Sequence, residues 1–210
     1  MQISDKTAAI GIGTLIIFIA MIMVAGMAAS VIIQTMNSLQ EQAMTTGEET
    51  LRDVSSGLRV TQVSGYYDGT SITQLAIFVK TTAGSDDVDL TYSYVSLSDT
   101  SNQVILNYTT NCFSSTVSNG LFGTLNSSNL SATTYGIMIV RDIDGSCTLN
   151  NPTINSDDLV ALLVNTTYCF SGLSTRTDVS GSVVPEQGIN GVIRFTTPSS
   201  YINTIMELQT

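Results

Sequence analysis

No histidine occurs among the 210 residues, and no tryptophan. Without imidazole, Ser-His-Asp and Cys-His nucleophile systems and histidine-based metal centres are excluded together. Catalysis by carboxylates alone is the remaining option, and the sequence defines no paired-carboxylate cleft and no glycine-rich phosphate loop. Positive charge is also scarce: seven Lys and Arg stand against 17 Asp and Glu, for a net charge of −10. The seven (Lys6, Arg52, Arg59, Lys80, Arg141, Arg176, Arg194) are scattered along the chain. Nucleic acid is therefore not a partner, since phosphate binding needs clustered Lys and Arg. There are only three cysteines, Cys112, Cys147 and Cys169, with no C-x-x-C spacing, which argues against zinc. Two readings of them stay open: one disulfide plus a leftover thiol in an exported domain, or three buried small apolar residues.

Charge is missing most completely from Ala8 to Ile33, where 21 of 26 residues are Ala, Val, Ile, Leu, Met or Phe. As a helix this run spans about 39 Å, enough to cross a bilayer core of about 30 Å. It is apolar on every face, so lipid or protein must cover it all round. A cleavable secretory signal has a shorter apolar region behind a basic one; here only Lys6 precedes the run, beside Asp5. A plain single-span anchor explains the length but not two details. Small residues recur at Ala9, Gly11 and Gly13 and again at Ala25, Gly26, Ala29 and Ser30, a spacing that lets helix backbones approach closely. Six of the eight methionines fall in the first 44 residues, and Met fills irregular gaps between packed helices.

The helical pattern does not stop at a membrane surface. Met36, Leu39, Ala43, Leu51, Val54 and Leu58 continue it at steps of three, four and seven. Glu48 and Arg52 form a favourable i,i+4 pair, Gly47 is a weak point, and Gly57 is an end signal. One helix of some 50 residues is expected, from near Thr7 to near Ser56, in an N-terminal unit 1–58 whose apolar part is 8–33. A helix this long needs neighbours along its course, and no basic stop-transfer cluster follows the apolar run.

From residue 59 to 210 the period changes to two. Val88, Leu90, Tyr92 and Tyr94 alternate with polar residues. Similar runs lie at Ile72–Lys80, Gln103–Thr109, Tyr135–Arg141, Leu159–Asn165, Val192–Thr196 and Ile202–Leu208, punctuated by Gly, Asn, Asp and Ser. Short strands with turn signals predict an antiparallel β-sandwich, giving an α+β chain overall. Four N-x-S/T sequons, at Asn107, Asn126, Asn129 and Asn165, fall in this polar part, no more than composition gives by chance. Asp142 and Asp144, followed by Gly145, could line a Ca²⁺ loop, although an Asp-Gly turn reads the same way and the distal Glu of an EF-hand is missing. No other cofactor is expected.

The run Gly11-Ile12-Gly13-Thr14-Leu15-Ile16-Ile17-Phe18-Ile19-Ala20-Met21 resembles the N-terminal signature of archaellins, the archaeal flagellins. The likeness continues through Ala28–Ile33, Leu39-Gln40, Thr46–Glu49, Val54-Ser55 and Leu58-Arg59-Val60. It is looser at Gly84–Leu90, Pro185–Gly188 and Phe195–Pro198, and Asp87 stands where the family commonly has Pro. The resemblance implies a long type IV pilin-like helix and an immunoglobulin-like β-sandwich. It also implies a helical filament with the helices in its core, extracellular and rotated by an ATP-driven motor for swimming. Such subunits are made as membrane-held precursors, trimmed by a pilin-type signal peptidase, assembled with copies of themselves or sister archaellins, and commonly N-glycosylated. In the family register the mature chain starts at Ala9, with Lys6-Thr7-Ala8 where a basic residue and glycine are usual. Asp5 matches the acidic fifth residue of bacterial pilins only if Met1 is the mature start. An adhesive archaeal pilin, or a membrane-anchored extracellular binding domain or enzyme, are the alternatives; the G-I-G-T-L run favours the archaellin.

Overall fold

The computed structural model describes residues 3–210, with side chains from Ile10 onward. Met1 and the side chains of Asp5, Lys6 and Ala9 lie outside the described part, so the expectations attached to them are not addressed by it. The chain divides into two compact units, residues 1–49 and 50–210.

Helix α1 runs unbroken over Ile3–Ser55, 53 residues or about 80 Å. Every described residue on it is exposed. Its threonines turn their hydroxyls onto the helix's own carbonyls: Thr14 donates to Gly11 O, Thr35 to Val31 O and Ile32 O, and Thr45 to Glu41 O. No polar side chain on these turns interrupts the helix. Gly47 does not end it either; its intrinsic cost of up to about 1 kcal/mol is spread over a long cooperative element. The helix stops at Ser55, where Ser56 N still donates to Arg52 O at 2.8 Å.

The β-unit begins at once with β1 (Leu58–Tyr67). Then follow β2 (Ile72–Thr81), β3 (Val88–Asp89), β4 (Tyr94–Ser98), β5 (Gln103–Ser114), β6 (Thr134–Arg141), β7 (Thr153–Ile154) and β8 (Leu159–Asn165). A short helix α2 (Thr166–Phe170) precedes β9 (Asp178–Val184), β10 (Gly191–Thr196) and β11 (Ile205–Gln209). Nine strands form one sheet in the order β10-β9-β4-β5-β6-β8-β2-β1-β11, and β3 pairs with β7 apart from it. The sheet rolls until its ends meet. Gly57 bridges to Ile189 just before β10. The Gln209 amide on β11 stitches to β10, accepting from Arg194 N and donating to Val192 O. Rolling removes the open edges that would otherwise pair with other chains.

The expected sandwich is thus a continuous, barrel-like roll, mostly antiparallel. The exception is β5 with β6, which are parallel. Parallel neighbours need a long crossover, and residues 115–133 supply it by passing over one face of the sheet. Strands β2, β6 and β8 are consequently buried on both faces, which explains their nearly continuous apolar sequences. Leu75, Ile77, Val79, Val160, Leu162 and Val164 point into the main core. Ala76, Met138, Ala161 and Leu163 point the other way, into a second cluster that Leu125 and Leu130 of the crossover cover.

One expected strand divides. The alternating run from Val88 to Tyr94 forms only β3 and the first residue of β4. Between them Asp89 Oδ1 accepts Thr91 N at 2.7 Å, and Ser93 N donates to Leu90 O. The fully buried Tyr135 hydroxyl donates toward Leu90 O and Ser93 O, so the turn's carbonyls stay satisfied inside the core. The Ile202–Leu208 run starts later, as β11 at Ile205.

Candidate functional sites: the assembly helix and the polar loops of the β-unit

From Ile10 to Met36, α1 presents Ile, Leu, Val, Met and Phe side chains at roughly half to two-thirds exposure. Exposure of so many large apolar groups is costly in water, at about 25 cal/mol per Å². Nothing lies within 4 Å of the positions a Cβ would take at Gly11, Gly13 and Gly26. Ala25 and Ala28, with Ile17, Ala20, Met21 and Val24, line a shallow apolar groove of about 430 Å³. These small-residue positions are open space on a single copy, and a second backbone can approach there. Ala29 belongs to the same exposed helix.

The neck after the helix is tightly fitted. Gly57 N donates to Ser85 Oγ and Asp86 N to Ser56 Oγ, while Leu58 N and Ile189 O, and Ile189 N and Ser56 O, bond at 2.9 Å each. A Cβ on Gly188, at φ +94°, would stand 2.1 Å from Ser56 O, so only glycine fits there.

Asp142 and Asp144 are joined by a residue that sequence reasoning missed, Asp158. Ligand oxygens from the three lie within 4.8 Å of one another. Asp142 accepts from Gly145 N and Cys147 N, and Asp144 from Ser146 N and Asn155 Nδ2. The Ser146 bonds hold the Asp144 carboxyl below its ordinary pKa. Asp158 is 1% exposed; its Oδ2 accepts from Ser146 Oγ and Asn155 N, but Oδ1 is buried with no partner. Three carboxylates this close repel one another, and a buried acceptor left unsatisfied costs about 1–3 kcal/mol. The donor set fits a hard cation that prefers oxygen. Asp158 lies 14 residues from Asp144, outside any compact motif, so only the pairing that brings β8 beside β6 reveals it.

The cysteines are free thiols, and the disulfide entertained from sequence is not formed. Cys112 packs in the crossover cluster and Cys147 in the main core, on opposite faces of the sheet. Burial pushes Cys112 and Cys169 up to about 11. Burial, then the Asp142 and Asp158 charges, push Cys147 to about 12. Protonated thiols of this kind are poor nucleophiles at neutral pH.

The four sequons divide by environment. Asn107 is exposed on β5, and Asn126 and Asn129 are exposed on the crossover. Asn126 Oδ1 accepts from Ser128 N, and Asn129 Nδ2 reaches Asn111 O only at 3.4 Å. Asn165 is 7% exposed. Its Oδ1 caps α2 by accepting from Thr167 N and Tyr168 N, and its Nδ2 donates to Ser127 O at 3.0 Å.

A long helix with an uncovered apolar surface, carried by a rolled β-unit with an acidic polar exterior, defines a self-assembling filament subunit of the pilin type. The archaeal-type flagellin family model matches residues 8–195. Flagellin B2 of Methanocaldococcus jannaschii is 42% identical over 211 residues, covering 99% of this chain and 97% of that protein. Flagellin B1 of Methanococcus voltae is 42% identical over 219 residues, covering 99% and 97%. The crystal structure of archaeal flagellin FlaB1 from Methanocaldococcus jannaschii superposes with a TM-score of 0.66 at 35% identity, over 73% of this chain and 97% of that one. The archaeal flagellum of Methanospirillum hungatei shares the fold, with a TM-score of 0.64 over 95% of this chain and 99% of that one at 16% identity. The chain belongs to the archaeal-type flagellins. It is an extracellular filament subunit of the archaellum, used for swimming.

Proposed function

We propose that α1 serves two environments in turn. In the precursor its apolar surface lies in lipid; in the filament the same surface is buried against copies of itself or of sister archaellins. The carrying observation is that the helix runs unbroken over Ile3–Ser55, with its apolar part exposed and its length well beyond what a bilayer needs. Lipid and a helix bundle are both apolar, so transfer between them gains little hydrophobic energy. Preference for the filament then comes from close packing at Gly11, Gly13, Ala25, Gly26 and Ala29 and from the adaptable methionines. A pilin-type peptidase releases the precursor, and an assembly ATPase of the motor supplies work. No catalytic role is assigned to the chain. Substituting Gly13→Leu or Ala25→Leu tests this reading. Each variant is expected to accumulate in the membrane with a folded β-unit and to yield no filaments by electron microscopy; normal filaments would overturn the packing argument.

Two roles follow for the polar loops. Asn107, Asn126 and Asn129 are the sequons open to N-glycosylation, supported by their exposure. The Asp142–Asp144–Asp158 group binds Ca²⁺ as a structural ion, supported by the unpartnered Oδ1 of Asp158.

A further inference from the structure

Strand register collects three of the β-unit's six basic residues (Arg52, Arg59, Lys80, Arg141, Arg176, Arg194) into one row. Leu58 is in the main core, so Arg59 faces outward from β1. Arg59 lies opposite Lys80 on β2. Val79 pairs with Val160, which sets Lys80 beside Leu159 of β8, and Leu159 lies opposite Arg141 of β6. Arg59, Lys80 and Arg141 thus span four neighbouring strands. Arg59 and Arg141 are exposed, and Lys80 is half-buried. Arg141 is held by donating from Nε to Asp157 O at 2.7 Å. Among the described residues neither Arg59 nor Lys80 has an ion-pair partner; the ion pair found there is Arg52–Asp86. Like charges directly opposite on a sheet are destabilising. A chain with 17 carboxylates has ample counter-charge, yet it sets these two cations face to face.

The complementary surface adjoins the start of β1 on the same unit. Around the neck, Asp86, Asp87, Asp89 and Glu186 line a polar cleft of about 560 Å³ together with Arg52 and Ser56. Arg52 answers Asp86 at 3.0 Å. Asp87 and Glu186 are exposed and unpaired among the described residues.

We propose that the Arg59–Lys80–Arg141 row docks into the acidic cleft of a second copy of this chain in the filament. The inference rests on the filament reading and adds an electrostatic contact between β-units to the helix core. Each copy carries the basic row and the acidic cleft, and the contact joins the row of one copy to the cleft of the next. Such a contact is heterologous, head to tail, and propagates along a helix rather than closing into a dimer. Its attraction falls as salt rises, because exposed pairs are screened within about 8–10 Å.

Charge exchange between full-length chains, expressed in filament-forming cells lacking the native subunit, tests this. One chain carries Arg59→Glu with Lys80→Glu, the other Asp87→Lys with Glu186→Lys. Each alone is expected to give at least about tenfold less filament than wild type, from several exposed pairs turned repulsive at every contact. Expressed together they are expected to co-assemble, since each row then meets an opposite cleft on its neighbour. A milder variant, Arg59→Gln with Lys80→Gln, relieves the like-charge pair; it is expected to fold at least as stably while its filaments dissociate at lower salt. Normal yield and salt resistance from the reversed chains, or failure of the mixture to assemble while the Gln variant behaves as wild type, would overturn the proposal. Wild-type assembly in the same cells is the control: its failure counts against the filament reading, not against this contact.

Discussion

Single residues decide how the polar loops behave. Asn165 shows how a sequence motif can be spent on structure: its amide caps α2 and ties Ser127 of the crossover to the end of β8. A sugar on that nitrogen has no room at a side chain this buried and would disturb the bond to Ser127 O. Peptide mass spectrometry of native filaments is therefore expected to find Asn165 bare and glycan among Asn107, Asn126 and Asn129; stoichiometric glycan on Asn165 would contradict the assignment. Asp158 carries the other residue-scale prediction. With Ca²⁺ at 100 times its Kd, the β-unit's stability is expected to rise by about 2.7 kcal/mol, or about 5–10 °C in Tm. Chelator reverses the gain, and Asp158→Asn abolishes it. An unchanged wild-type Tm on adding Ca²⁺ removes the ion from the account.

At the scale of elements, α1 was legible almost to its ends. Apolar steps of three, four and seven, with Gly57 as the stop, predict a helix over about residues 7–56, and it runs from Ile3 to Ser55. The packing role proposed for it rests on Gly13 and Ala25, small residues that lipid does not require. Replacing either by Leu leaves helix propensity nearly unchanged or improved, so lost assembly would report packing between copies rather than a broken helix. The strands were read less completely. β2, β5, β6, β8 and β10 follow from alternation and apolar runs. β1 was not predicted because Arg59, Thr61, Gln62 and Ser64 dilute its apolar residues. β9 was missed because Ser180, Gly181 and Ser182 carry little hydrophobic signal. The break between β3 and β4 depends on the Tyr135 hydroxyl, 42 residues from Ser93, and no local pattern shows such a contact. Parallel pairing of β5 and β6 likewise depends on where the crossover lies, and local periodicity does not specify that.

For the whole molecule, one chain combines two surfaces of opposite character. The helix is apolar and uncharged from Ala8 to Ile33, whereas the β-unit carries most of the net negative charge. Polymerisation buries the first and keeps the second in water, which accounts for solubility of a filament whose free subunit would expose α1. Candidate sites were partly legible at this scale. Asp142 and Asp144 announced a carboxylate loop, but Asp158 and the basic row across β1, β2, β8 and β6 exist only through strand pairing. The three thiols, separated onto two faces of the sheet, gave no hint of that separation in their spacing. The central claim is that α1 is the subunit's interface with its own copies. A cryo-electron map of native filaments tests it most directly. The map is expected to show α1 buried among neighbouring helices from Ile10 past Glu41, with the closest backbone approaches near Gly13 and Ala25–Ala29. Helices that end in lipid or face solvent on well-separated subunits would contradict it.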